Sequence, residues 1–285
     1  MRITPKIGEQ NLVIPDAVSA YIHMNNTMEI QMTSRNLQKA WQHCKFILDN
    51  FVSLEEVVLH MPFERHTINA FISNPALQRS LIELMVDVMR YADKYDIKIA
   101  VLFHVEGSME TFIEGGGYEF TTHLLKIIEG SNAYILVENS LPDFSALKPE
   151  RVGAIEIIQA INHDKLRACF DICHFKASEN ALKRTLELPL SYLSRVNEIH
   201  FSATLDGDGF LDKKKTHGQI HPDYLSLLTD IKWLVDTGFD LNSAMLTAEI
   251  SESDYEARPK MLKELSMMYQ AEKELGTLPR AEMPA

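Results

Sequence analysis

The chain has 285 residues, of which 46% are apolar and 24% charged, a balance typical of a globular protein with a sizeable core. Its formal net charge of −12 disfavours nucleic acid as the main ligand, since phosphate backbones are bound chiefly through Lys and Arg, but a local basic patch would still allow it. The sequence has no apolar run of about 20 residues, so it predicts no membrane helix, and its N-terminus lacks a secretory signal pattern. Its three cysteines are too few for a disulfide framework. We therefore expect a cytoplasmic protein without a membrane partner.

Short apolar runs alternate with longer amphipathic segments along the chain. The runs predict eight strands, at Arg2–Ile7, Thr27–Thr33, Glu55–His60, Lys98–His104, Ala133–Asn139, Leu166–Ile172, Val196–Ser202 and Ala244–Ile250. The amphipathic segments predict eight helices, at Ala17–Asn25, Asn36–Asn50, Pro75–Lys94, Tyr118–Ile128, Pro149–Asn162, Ser178–Leu186, Asp223–Asp236 and Tyr255–Leu275. Ser34 is the expected N-cap of the second helix.

This alternation predicts the α/β fold class. Strands separated by helical crossovers form parallel sheets, and eight such units in about 250 residues favour a single (β/α)8 TIM barrel over the alternative, an open doubly wound sheet. We expect the barrel to cover residues 1–275 and the last residues, 276–285, to form a frayed C-terminal tail.

Residues able to bind metal recur at the C-terminal ends of the later strands. In chain order these residues are His60, His104, Glu138, Asp171, His200 and Glu249. His174 follows Asp171 by three residues, and His217 lies on the loop after the seventh strand. A lone histidine at a strand end is usually structural, but a series on six strands is harder to explain, because a buried charge costs several kcal/mol unless it is paired or bound to metal. Since these strand ends meet at one face of a barrel, the pattern predicts a metal site there.

Other polar or reactive residues have simpler interpretations. Cys173 and Cys169 are interpreted as packed thiols, because neighbours on a strand point to opposite faces. His221 precedes a helix and is interpreted as a cap-region residue. The lysines at 213–215 and the nearby aspartates form a solvated loop or, alternatively, a loop that covers the substrate.

Six short motifs, one per strand, carry a family resemblance. They are LHMP, FHVEG, LVENS, FDICH, EIHFS and LTAEIS. In this order they resemble the xylose-isomerase-like TIM-barrel superfamily, which includes sugar isomerases and epimerases and the endonuclease IV family. The resemblance covers nearly the whole chain and implies a metal-dependent barrel enzyme.

The ketose 3-epimerase branch implies one divalent ion, Mn, Mg or Co, and four ligands: Glu138, Asp171, His200 and Glu249. It also implies that the two glutamates act as acid and base and that His174 touches a substrate oxygen. Lys215 is the basic residue nearest to the arginine with which that branch binds substrate. The expected function is therefore a sugar, sugar-acid or polyol isomerase or epimerase in carbohydrate metabolism, working by proton transfer through a metal-stabilised enediolate.

The endonuclease IV branch is the alternative, an abasic-site phosphodiesterase with two or three Zn or Fe ions. Its five histidine positions match His60, His104, His174, His200 and His217, and three of its carboxylates match Glu138, Asp171 and Glu249. Lys215 stands where the fourth carboxylate is expected, although Asp206, Asp208 or Asp212 could substitute. Many barrels form homo-oligomers, which this chain also allows, but no interface patch is evident in the sequence.

Overall fold

The computed structural model describes residues 1–51, 53–62, 67–104, 109–139, 154–182, 185–203, 219–250 and 257–276. At its centre a closed barrel of parallel strands runs in chain order, with the first strand paired to the last. The strands are β1 (Arg2–Gly8), β2 (Thr27–Gln31), β3 (Glu56–His60), β4 (Lys98–His104), β5 (Ala133–Glu138), β6 (Leu166–Asp171), β7 (Val196–Phe201) and β8 (Met245–Ala248). The predicted (β/α)8 barrel is confirmed, and barrel closure excludes the open sheet.

Eight longer helices connect the strands or follow the last one: α1 (Asp16–Asn25), α2 (Leu37–Leu48), α4 (Pro75–Tyr95), α6 (Gly117–Ile127), α7 (Ala154–Ile161), α8 (Ile172–Leu182), α10 (Tyr224–Thr237) and α11 (Ala257–Gly276). Three short helices accompany them in the described part of the chain: α3 (Ile68–Ser73), α5 (Met109–Glu114) and α9 (Leu190–Leu193). None of the described helices is both long and apolar enough to cross a membrane.

Two local predictions were wrong. The N-cap of α2 is Asn36, not Ser34, because the Asn36 side chain accepts a hydrogen bond from the backbone N–H of Lys39. The helix expected at Ser178 begins six residues earlier, at Ile172, directly after β6. Asp171 Oδ1 accepts a hydrogen bond from the backbone N–H of His174 (2.6 Å), and this bond satisfies a donor that the first turn would otherwise leave free.

The core has two layers because successive strand side chains point to opposite sides of the barrel wall. On β3, Val57 and Leu59 belong to the large cluster between strands and helices, whereas Val58 belongs to a separate small cluster. The members of this small cluster are Val58, Ala100, Leu102, Tyr134, Leu136, Cys169 and Met245. We infer that it fills the inside of the barrel and supports the polar residues at the C-terminal ends of the strands.

Several predicted residues lie outside the described residues, namely Lys215, His217, Asp206, Asp208, Asp212 and the tail from position 277. Their expected roles stay predictions. Gly276, the first residue of the expected tail, is the last residue of α11.

Candidate metal centre

Four buried side chains from four consecutive strands converge at the C-terminal face of the barrel. Glu138, Asp171 and His200 lie in the last two residues of β5, β6 and β7, and Glu249 directly follows β8. Each is at most 5% exposed, and each offers a ligand atom within 4.8 Å of the other three. The structure thus brings together the four ligands that the ketose 3-epimerase resemblance implies.

The donor atoms of this group fit a divalent cation. His200 Nδ1 lies 3.1 Å from Glu249 Oε2 and 3.6 Å from Glu138 Oε1. Both carboxylate oxygens of Glu138 and the Nδ1 of His200 are buried; ionisable groups lie 2.9–3.6 Å from them, but in the described residues none of these contacts has the angles of a hydrogen bond. Leaving buried polar atoms in this state is costly, and a cation bound between them would remove the cost. One nitrogen and several carboxylate oxygens suit Mn, Mg, Co or Zn ions.

The charges of the group also favour a cation. Burial, together with the nearby Glu249 and Glu138, raises the pKa of Asp171 to about 8 although His174 acts in the opposite direction. Burial by itself would raise the pKa of Glu138 too, but His104 and His200 outweigh it and hold that pKa well below its usual value. Three carboxylates therefore compete for the positive charge of a few histidines. A bound cation would lower the cost of ionising all three.

His60 and His104 form a second group with Glu138. The Nε2 atoms of the two histidines are 3.4 Å apart, and Glu138 Oε2 lies 2.9 Å from His104 Nε2 and 3.6 Å from His60 Nε2. Ligand atoms of the three residues lie within 4.8 Å of one another, so they could hold another ion. Glu138 belongs to both groups, so two ions, if both groups held one, would share this carboxylate as a neighbour.

Asn139 links the ends of β5 and β6 beside this centre, a role that the sequence analysis missed. Its side-chain oxygen accepts a hydrogen bond from the backbone N–H of Asp171 (2.7 Å), and its side-chain nitrogen donates to the backbone oxygen of Asp171 (2.9 Å). Its own backbone oxygen lies 2.8 Å from His174 Nδ1, which is also 3.2 Å from Glu138 Oε1. These contacts fix both Asp171 and His174 relative to Glu138.

Lys6 on β1 and Glu29 on β2 lie beside this centre and are not among the residues predicted from the sequence. Lys6 Nζ lies 2.6 Å from Glu249 Oε1 and 2.8 Å from Glu29 Oε1. Burial would lower the pKa of Lys6, but these two carboxylates outweigh it and raise that pKa above its usual value. The sequence did contain a signal for both residues, because each is a charged residue within an otherwise buried strand. A buried charge of this kind needs a partner, here across the barrel.

The two cysteines interpreted as packed thiols differ in their surroundings. Cys173, on α8, lies 3.2 Å from Ser202 Oγ and belongs to no metal-capable group among the described residues. Cys169, on β6, lies inside the barrel, where it offers a ligand atom within 4.8 Å of Glu138 and His200. The opposite-face argument therefore fails for Cys169. Burial raises the pKa of its thiol well above the usual value, which favours the neutral form.

Comparisons with known proteins support the fold. No protein-family model and no curated protein sequence matches the chain. Among solved structures, a xylose isomerase domain protein from Planctomyces limnophilus has a TM-score of 0.60 at 12% identity, covering 97% of this chain and 98% of its own. A D-tagatose 3-epimerase-like protein has a TM-score of 0.59 at 14% identity, covering 95% and 98%.

The protein SacUVDE is a third similar structure, with a TM-score of 0.55 at 14% identity and coverage of 98% of this chain and 100% of its own. At these identities the likeness shows a shared fold. The chain thus has the architecture of xylose-isomerase-like TIM-barrel proteins, as its motifs predicted.

Proposed function

We propose that this protein is a divalent-metal-dependent sugar isomerase or epimerase in which Glu138 and Glu249 exchange a proton with a carbon next to a ketose carbonyl. The observation that carries the proposal is the convergence of two buried glutamates, one aspartate and one histidine within 4.8 Å at the barrel end. The epimerase-like and isomerase-like structural neighbours add support.

Glu138, Asp171, His200 and Glu249 would hold the ion. When bound, it supplies positive charge that polarises the substrate carbonyl and acidifies the neighbouring C–H. Burial of all four residues favours a small substrate that can enter the end of the barrel. The formal charge of −12 is also easier to reconcile with a neutral sugar than with a polyanion.

The two glutamates have different surroundings that suit different roles. Lys6 Nζ holds Oε1 of Glu249 at 2.6 Å and leaves Oε2 on the side of His200. Glu138 has no lysine partner among the described residues and is surrounded by His104, His174 and His200. One glutamate would remove the proton and the other would return it at the neighbouring carbon or on the opposite face. His174, held by Asn139, would contact a substrate oxygen, as would Lys215.

Deuterium exchange tests this chemistry directly. Metal-loaded protein is incubated in D2O with a panel of five- and six-carbon ketoses, and label at the carbon next to the carbonyl is followed by NMR. We expect at least one ketose to take up deuterium, and Glu249→Gln to slow uptake by roughly 10³-fold, within the usual range for a lost acid–base group. The matched control, Glu129→Gln, changes an exposed glutamate and should leave the rate unaltered.

A multinuclear phosphodiesterase is the second candidate, favoured by the His60–His104–Glu138 group, which could hold another ion beside the first. Several ions together can activate water and hold a leaving oxygen. Absence of deuterium uptake from every ketose, combined with metal-dependent cleavage of an abasic-site oligonucleotide, would overturn the isomerase proposal in favour of this one. Cleavage should then weaken on His104→Ala.

A further inference from the structure

Lys6 lies inside the barrel beside the metal centre, with its side chain only 7% exposed. Its Nζ atom lies 2.6 Å from Glu249 Oε1, 2.8 Å from Glu29 Oε1 and 2.7 Å from His60 Nδ1. Two of these neighbours, the carboxylates of Glu249 and Glu29, accept N–H groups of the ammonium. His60 Nδ1 also lies 2.8 Å from Glu29 Oε1 and must donate its proton there for Nε2 to be available to a metal. Lys6 is thus enclosed by potential partners rather than directed towards solvent.

The residues around this ammonium are themselves a metal-capable set. Glu29, His60 and His200 offer ligand atoms within 4.8 Å of one another. Glu29 Oε1 lies 2.8 Å from His60 Nδ1, and Glu29 Oε2 lies 2.9 Å from His200 Nε2. Two histidines and one carboxylate are a common ligand set for a zinc ion. We call the group of Glu29, His60 and His200 the Glu29 pocket. It differs from the four-residue centre in two of its members and has His200 in common with it.

We propose that the ε-ammonium of Lys6 is a built-in cation that occupies the Glu29 pocket and keeps a metal ion out of it. The fully buried Glu29 carboxylate needs a positive partner, which Lys6 supplies. A divalent ion placed among the same donors would lie within a few ångströms of the ammonium, and like charges at that distance repel strongly at low dielectric constant.

The pocket also orients the ligands of the neighbouring centre. Because Glu29 contacts Nε2 of His200, the Nδ1 of that ring is directed to Glu138 and Glu249. Because Glu29 Oε1 can accept the Nδ1 proton of His60, the Nε2 of that ring faces His104 and Glu138 without a proton. Such outer contacts fix which histidine nitrogen is available to a metal. Lys6 and Glu29 therefore confine metal binding to the Glu138 side of both histidines.

The inference goes beyond the proposed sugar chemistry, because it concerns how many ions the barrel holds. Wild type, Lys6→Ala, Lys6→Arg and the double variant Lys6→Ala/Glu29→Gln are stripped with chelator and reloaded with ZnCl2. They are then desalted and analysed by elemental mass spectrometry, with circular dichroism as the check on folding. We expect Lys6→Ala to hold about one equivalent more zinc than wild type, because alanine removes the ammonium and opens its space. Lys6→Arg keeps the charge, and the double variant removes a ligand, so both should match wild type.

A folded Lys6→Ala protein with the same zinc content as wild type would overturn the inference. Glu29→Gln alone provides a test that keeps Lys6, should Lys6→Ala not fold. Measured by equilibrium dialysis against saturating zinc, so that a weakened Glu29–His200 contact does not by itself empty the neighbouring centre, it should retain the wild-type zinc content. Loss of one equivalent under these conditions would show that a metal already occupies the pocket and would overturn the inference too. Wild-type protein that binds no zinc, with Lys6→Ala gaining one equivalent, would count against the proposed metal centre but support the role of Lys6.

Discussion

The two ends of the barrel both contain buried carboxylates, but they satisfy them differently. At the N-terminal end, Glu56 accepts hydrogen bonds from Tyr134 Oη (2.5 Å) and Asn197 Nδ2 (2.9 Å) and pairs with Arg2. Among the described residues, every buried polar atom of these four side chains has a hydrogen-bond partner. At the C-terminal end, both oxygens of Glu138 and the Nδ1 of His200 have charged or polar neighbours, such as His104 and His174, but no hydrogen bond of good geometry among the described residues.

This difference indicates what each end does. Burial would raise the pKa of Glu56, but Arg2 and the hydrogen bonds outweigh it and keep that pKa below its usual value, so the network is satisfied without a ligand. Among the described residues, the C-terminal network leaves buried polar atoms without hydrogen bonds and fits a cation. In TIM barrels generally, stability is associated with the N-terminal face and catalysis with the C-terminal face.

Replacing a carboxylate of the C-terminal end should have the largest effect. We expect Glu138→Gln to lower kcat for the ketose identified by exchange by roughly 10³-fold, because it removes both an acid–base group and a ligand. Steady-state kinetics on folded protein measures this. If the variant keeps more than a tenth of the wild-type kcat, Glu138 does not act as an acid–base group in the reaction.

Asn139→Ala should have the next largest effect, because it releases Asp171 and His174 without removing a ligand. Loss of a contact of this kind costs roughly 10–100-fold in metal affinity or activity. Metal titration measures the loss of metal affinity, and kinetics at saturating metal then measures the loss of activity separately. If both values stay within twofold of wild type, the contacts of Asn139 do not orient the centre.

Glu56→Gln should show the opposite pattern at the N-terminal end. We expect kcat to stay within about twofold of wild type, while the free energy of unfolding falls by about 2 kcal/mol through weakened hydrogen bonds to a charged group. Urea denaturation and the ketose assay together make the measurement. Loss of activity in a stable Glu56→Gln protein would break the distinction between the two ends.

His221 extends the comparison to the helical layer. It pairs with Glu264 on α11 and lies 3.2 Å from Asp230 on α10. Burial would lower the pKa of His221, but Asp230 and Glu264 outweigh it and raise that pKa to about 9, from 6.5 for the free side chain. The charged pair thus stabilises the fold fully below pH 6.5, and this stability is lost as the pH rises through 9.

We therefore expect the difference in unfolding free energy between wild type and His221→Gln, on the order of 2 kcal/mol at pH 6, to shrink towards pH 9. Urea denaturation at pH 6, 7, 8 and 9 measures it. A difference that is constant over this range would mean that the ring is held by packing, including its stacking on Phe201, rather than by charge.

Local pattern was enough to predict the fold and the convergence of polar strand-end residues at one face of the barrel. Strand and helix periodicities depend on neighbouring residues, and parallel topology places the strand ends together, so the strand-end residues from His60 to Glu249 could be assigned to one face in advance. The choice of Glu138, Asp171, His200 and Glu249 as one ligand set came from the family resemblance. The partners of Lys6 and Glu29 depend on contacts across the barrel, which periodicity does not reveal. His221, interpreted as a cap-region residue, is buried between two helices, and that depends on how α10 and α11 pack.

Metal content is the most direct test of whether the C-terminal end is a metal centre. Wild type, Glu249→Gln and Glu56→Gln are purified without chelator and analysed by elemental mass spectrometry. At least one equivalent of a divalent ion in wild type and Glu56→Gln, with a marked loss in Glu249→Gln, is the predicted result. No metal above background in any of them, even after reloading with Mn, Co, Mg or Zn, would contradict the account.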